Sequence, residues 1–123
     1  MSSSSDALPI GPYAPIARAG DLLVCSGQLG LCNGSLVEGG LAAELPQAFS
    51  NLVQILASEG ATLTDVVKMT VFLTDIADFE EMNSLYLEVF GDHRPTRSAF
   101  AVAALPRGGC VEIEAWAYAP LVR

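Results

Sequence analysis

Asp65-Val66-Val67-Lys68-Met69-Thr70-Val71-Phe72-Leu73-Thr74 sets Val67, Met69, Val71 and Leu73 on one face against Lys68, Thr70, Phe72 and Thr74 on the other. A period of two, with valines at its start, predicts a sheet strand over 65–74 with one buried face. On both sides the period becomes helical. Upstream, Leu45, Phe49, Leu52, Val53 and Leu56 follow helical spacing within 41–58, and Gly60 supplies the stop. Pro46 removes a backbone hydrogen bond there, so the regular helix either starts or kinks at it. Downstream, Asp78 is a suitable N-cap for a second helix with the stripe Phe79, Met82, Tyr86 and Phe90, ended by Gly91.

Outward from this α-β-α centre the chain reads as strands. Residues 15–19 and 21–28 predict a hairpin joined at Gly20, and Asn33-Gly34 is a tight-turn signal before a third short strand at 35–37. The C-terminal third predicts a strand over 97–104, a turn through Leu105-Pro106-Arg107-Gly108-Gly109, and a strand over 110–117. The order β-β-β-α-β-α-β-β predicts an α+β fold: one twisted mixed sheet with two helices on one face. Phe72, Phe100, Val102 and Trp116 cannot all be buried in so thin a layer, which predicts a contact between subunits on the other face.

Composition limits the functions open to this chain. Its 123 residues suit one domain, expected over 10–121 after a flexible segment at 1–9 and before a tail at 122–123. Six Lys+Arg against 14 Asp+Glu give a formal charge of −8, a field that repels phosphate backbones and anionic membranes, so neither nucleic acid nor membrane is an expected partner. The few arginines become the informative residues, because an anionic substrate needs a local island of positive charge. Cys25, Cys32 and Cys110 show no CxxC or paired His/Cys pattern, which argues against a disulfide framework or a metal site and reads as small buried hydrophobes. The one histidine, His93, lies in the polar run Asp92-His93-Arg94 and reads as solvated. The Ser-rich start has no basic and apolar leader pattern, and no stretch reaches the roughly 18 apolar residues of a membrane span, so a soluble cytoplasmic protein is expected.

Several segments in the same order resemble the RidA (YjgF-type) family. They are Ile10-Gly11-Pro12-Tyr13, Ser26-Gly27-Gln28, Val66 to Phe72, Asn83 with Tyr86, Arg97-Ser98, Leu105-Pro106 and Glu112-Ile113-Glu114-Ala115. No single piece is specific; their order and spacing together make the match. The resemblance implies a chorismate-mutase-like fold assembling as a homotrimer around a central barrel, with three sites in clefts between subunits. It implies hydrolysis of 2-enamino or 2-imino acids to 2-keto acids and ammonia, without a cofactor. The family's carboxylate-binding arginine falls on Arg97 and its water-positioning glutamate on Glu112, while Tyr13, Ser26, Gly27 and Asn83 fall on pocket positions. Ala99 stands where many members carry cysteine, and Ala104 where arginine is common.

The chemistry of these residue types agrees with those roles. A guanidinium holds a carboxylate bidentately, and a glutamate can take a proton from water attacking an imine and return one to departing ammonia. Taken singly, the same residues have plainer readings: Arg97 as a sheet-edge ion-pair partner, Glu112 and Glu114 as strand glutamates on one face, Tyr13 as packing, Asn83 as an exposed polar residue or a cap, Arg94 as a loop charge. If 97–104 and 110–117 form a hairpin closed by Ala104 and Cys110, Arg97 and Glu112 lie about 16 Å apart on opposite faces. A β-bulge, for which Gly108-Gly109 is a candidate place, a different hairpin length, or a group from the neighbouring subunit would each resolve this. The competing function is a non-catalytic module that binds a keto acid in the same cleft; Glu112 discriminates, since a second negative charge gives an anion binder nothing. A protein-interaction or RNA-directed role is the other, and the net charge opposes RNA.

Overall fold

A computed structural model describes residues 9–121. The expected flexible segment 1–9, apart from Pro9, and the expected tail 122–123 lie outside the described residues. The elements are β1 (Ile16–Ala19), β2 (Leu22–Leu29), β3 (Leu31–Cys32), β4 (Ser35–Leu36), α1 (Leu41–Ala57), β5 (Val66–Leu73), α2 (Phe79–Phe90), β6 (Thr96–Ala101) and β7 (Val111–Tyr118). Five strands form one mixed sheet in the order β1-β2-β7-β5-β6, as the α+β reading expects. β5 and β6 are parallel, linked by α2 as a crossover; the other pairs are antiparallel.

Both helices cover one face. Leu45, Leu52 and Leu56 of α1 and Met82 of α2 are fully buried in one cluster with Leu23, Met69, Val71, Ile113 and Ala115 of the sheet. The other face presents Phe72 against Phe100, ring centroids 5.3 Å apart, and leaves Val67, Phe100, Trp116 and Tyr118 exposed.

Several expectations need correction. The strand at 35–37 pairs only with Leu31–Cys32, in a separate two-stranded ladder around the Asn33-Gly34 turn, where φ is 54° and 81°. The final hairpin does not form: β5 lies between β6 and β7. The link from 102 to 110 steps over the end of β5, tied to it by Val102 N–H donating to Leu73 O (2.7 Å) and Thr74 N–H to Cys110 O (3.2 Å). An apolar strand buried by helices is best paired on both edges, and nine residues easily span the roughly 10 Å between its neighbours. β6 accordingly ends at Ala101, short of 104.

Val67 faces out rather than in. The register shifts between Val66 and Lys68, so Val66 turns inward at the bulge and Val67 outward, and alternation resumes with Met69. α1 begins at Leu41, five residues before Pro46, and continues through it. Pro46 and Ala42, whose carbonyl loses a partner, both lie on the exposed side, where water can replace the missing bond. Asp78 occupies the N-cap of α2 but makes no side-chain cap; Asp75 instead accepts from Ala77 N–H in the short 3-10 turn Ile76–Asp78.

A buried amide ties α1 to the sheet. Asn51, fully buried, donates to the carbonyls of Leu29 (3.2 Å) and Leu31 (3.0 Å) on either side of Gly30, and accepts from Gln47 (2.9 Å). These carbonyls leave the sheet ladder where β2 bends into β3, so they need another donor. Asn51→Leu strands both of them in an apolar site. Its expected cost is about 2–4 kcal/mol, read from urea unfolding with an unchanged m-value.

Candidate functional site

The sequence-predicted residues fall into two groups at different places on the sheet. Arg97 enters from β6, opposite Met69 in the register, and so points to the helix-covered face. Its guanidinium lies 4.8 Å from the Tyr86 ring centroid and 5.6 Å from that of Phe79, with Nη1 3.6 Å from Met82 Sδ. The α2 stripe that reads as core in the sequence is thus also a platform for a cation. Among the described residues no carboxylate lies within 4.0 Å of Arg97; the single ion pair is Arg18–Glu59 at 3.1 Å. The sheet-edge ion pair is absent, and the donor fork remains open to a ligand. A cavity of about 380 Å³ beside it is lined by Asn83, Tyr86, Leu87, Arg94, Pro95 and Arg97. Burial pushes the Tyr86 hydroxyl's pKa up, against a lowering effect of Arg97, so it stays neutral.

Glu112 lies on the other face. It alternates with fully buried Ile113 along β7, as does Glu114, and both carboxylates leave the sheet on the side away from the helices. A small cavity of about 40 Å³ joins Tyr13, Gly27 and Glu112, with Ile10, Leu29 and Pro106 around them. Gly27 belongs to a bulge between Cys25 and Gln28, where Ser26 and Gly27 together oppose Glu114. The bulge considered near Gly108-Gly109 belonged to a hairpin that does not form; the register shifts lie at Cys25/Gln28 and at Val66/Lys68. A Cβ on Gly27 would lie 2.5 Å from Glu112 Oε2, so glycine here makes room for the carboxylate. Ser26 Oγ donates to Ala14 O at 2.6 Å, which fixes the chain leading to Tyr13. Burial first, and the neighbouring Glu114 charge second, raise the pKa of Glu112 above the ordinary glutamate value.

One chain does not bring Arg97 and Glu112 together. Arg97 is level with Met69 and through it with Ala115, three positions from Glu112 and two strands away. That is about 10 Å along and about 10 Å across the sheet, with the side chains on opposite faces. The opposite faces match the expectation from sequence; the hairpin behind it does not exist. Asn83 accompanies Arg97, whereas Tyr13 and Gly27 accompany Glu112.

Two other readings change. Arg94 is exposed, as a loop charge should be, yet it lines the Arg97 cavity. The sequence signal was its being a second cation three residues from Arg97. His93 is half-buried, its Nε2 2.8 Å from Val66 O and its ring against Phe90. Cys25 is buried in the core with its pKa raised to about 11 by burial. Cys110 N–H donates to the buried Glu44 carboxylate at 2.8 Å, and its thiol is pushed up to about 12 by burial and by Glu44. Among the described residues no group of three or more His, Cys, Asp or Glu could hold a metal ion, and no helix is long and apolar enough to cross a membrane.

Fold and half-sites define a class: a small α+β chain with an unpaired arginine at one sheet edge and a carboxylate seated against a glycine bulge on the opposite face. A family model described as Endoribonuclease L-PSP matches residues 4–119. The chain belongs to that family, the RidA (YjgF-type) family its motifs resemble. It is 44% identical over 117 residues, 94% of this chain and 85% of the relative, to the Bos taurus protein named 2-iminobutanoate/2-iminopropanoate deaminase. The crystal structure of RidA from the Antarctic bacterium Psychrobacter sp. PAMC 21119 superposes with a TM-score of 0.89 at 38% identity, covering 94% of each chain. The crystal structure of E. coli TdcF with bound serine gives 0.87 at 33% identity, again over 94% of each chain.

Two predictions follow from the Glu112 side. Gly27→Ala folds, because the clashing atom is the end of a flexible side chain, but moves the carboxylate by about 1 Å to reach ordinary contact, as a crystal structure of the variant checks. Glu114→Gln removes one of the two causes that raise Glu112, so its titration midpoint, read by carboxyl carbon NMR, moves down.

Proposed function

We propose that this chain is a 2-imino/2-enamino acid deaminase that hydrolyses its substrate to a 2-keto acid and ammonia with no cofactor. The observation that carries the reading is the open guanidinium of Arg97, stacked on Tyr86 and Phe79 with no acid beside it among the described residues. The name borne by relatives at 44% identity supplies the reaction, and serine in the structure of a related protein is a ligand of the right size and carboxylate chemistry.

The proposed site forms between copies. The Arg97 cavity of one chain meets the Tyr13-Gly27-Glu112 cavity of the next, and a homotrimer closes three such contacts around the exposed face of Val67, Phe100, Trp116 and Tyr118. Arg97 grips the substrate carboxylate and Asn83 lines the same wall. An enamino acid first gains a proton at carbon and loses one from nitrogen to become the imine. Glu112 then takes a proton from water as the oxygen attacks the C=N carbon and passes it to the imine nitrogen, giving the carbinolamine; it next carries the carbinolamine hydroxyl proton to the same nitrogen, so that the C–N bond breaks to release ammonia as the C=O bond forms. The net change is imine plus water to ketone plus ammonia. A carboxylate with a raised pKa suits this relay, because it is a stronger base toward water than an ordinary glutamate.

A pure keto-acid binder gains nothing from Glu112, whose charge repels the ligand. The family description includes the word endoribonuclease, but a chain of net charge −8 repels a phosphate backbone. Small imino acids are therefore the proposed partners, in the cytoplasm.

The test is turnover of 2-iminopropanoate generated in situ. Arg97→Ala and Glu112→Gln each lower kcat/KM by about 10²-fold or more, the scale of a lost bidentate anchor or proton relay. Co-refolding the two inactive variants restores part of the activity, because mixed trimers contain interfaces whose Arg97 and Glu112 are both native. Wild-type hydrolysis no faster than background, with saturable keto-acid binding, supports the binder instead.

A further inference from the structure

Of six basic residues in a chain of net charge −8, five lie in the described region. Three have fixed duties elsewhere: Arg18 pairs with Glu59, Lys68 donates to Ser98 Oγ, and Arg107 donates to Gly34 O. The remaining two, Arg94 and Arg97, border the same 380 Å³ cavity. Neither has a carboxylate within 4.0 Å among the described residues.

The first of these cations is not held by a loose loop. His93 Nε2 lies 2.8 Å from Val66 O, and Thr96 Oγ1 donates to Val67 O at 2.7 Å, so the segment is pinned to β5 on both sides of Arg94-Pro95. Pro95 fixes its own φ and restricts Arg94 to extended backbone. The Arg94 guanidinium donates to the carbonyl of Gly91, which ends α2. Two like charges placed on one cavity repel unless an anion lies between or beside them. One carboxylate occupies the fork of Arg97; Arg94 is left for another. Tyr86 and Leu87 line the same cavity and supply an apolar wall suited to the methylenes of a short side chain.

We propose that Arg94 is a specificity contact and that the cavity selects 2-imino acids carrying a second, side-chain carboxylate. This rests on the deaminase reading and names its substrate class. The chemistry is the same hydrolysis: 2-iminoglutarate plus water gives 2-oxoglutarate plus ammonia, with no oxidant or reductant.

The experiment compares 2-iminoglutarate with 2-iminopropanoate, each released in situ by an amino-acid oxidase, with surviving imine trapped by semicarbazide. Wild type is expected to favour the dicarboxylate in kcat/KM by about tenfold or more, the scale of one charge-assisted contact. Arg94→Gln lowers the dicarboxylate value about tenfold more than the monocarboxylate value, mainly through KM, and Arg94→Lys retains most of the preference. Arg94→Glu reverses it. Hydrolysis of both imines with no dicarboxylate preference in wild type, or with the same ratio in wild type and Arg94→Gln, overturns the proposal while leaving the deaminase reading intact. Hydrolysis of neither overturns both.

Discussion

In a pleated strand successive side chains leave on opposite faces, and this alternation governs where every functional group of the chain lies. With β5 between β6 and β7, Arg97 is committed to the helix side and Glu112 to the open side. No rotamer change crosses a sheet. A site that needs both groups therefore needs a second copy of the chain, and the proposed function and the aromatic open face express the same constraint.

The two bulges adjust what alternation would otherwise set. At Ser26-Gly27 the extra residue lets β2 continue with Gln28 turned inward while Gly27 leaves room for the Glu112 carboxylate. At Val66–Lys68 the shift sends Val67 to the open face, adding apolar surface next to the level of Trp116. Both lie at sheet positions that border the proposed interface, where re-aimed side chains matter most.

Much of this architecture was legible in the residues. The period of two in 65–74, the helical stripes of Leu45 to Leu56 and Phe79 to Phe90, and the Asn33-Gly34 turn each predicted an element that exists. Strand neighbours were less legible, because alternation records which face a residue occupies but not which strand lies beside it. The assumed hairpin of 97–104 with 110–117 failed for that reason. Bulges hide in the same way: Val67 looks like its β-branched neighbours, and only the register reveals that it faces out. Assigning Arg97 and Glu112 to roles needed the motif as well as their chemistry. Arg94 read only as a loop charge because nothing local shows that a loop cation borders the cavity of a strand cation.

The buried Glu44, which accepts from Cys110 N–H, bears on the chemical durability of the chain. A negative charge beside a sulfur discourages the thiolate, and with values near 12 for Cys110 and 11 for Cys25 both sulfurs remain protonated in any physiological compartment. Thiols in that form are poor nucleophiles. Electrophiles and peroxides that would scar an exposed thiolate find little to attack at these two positions.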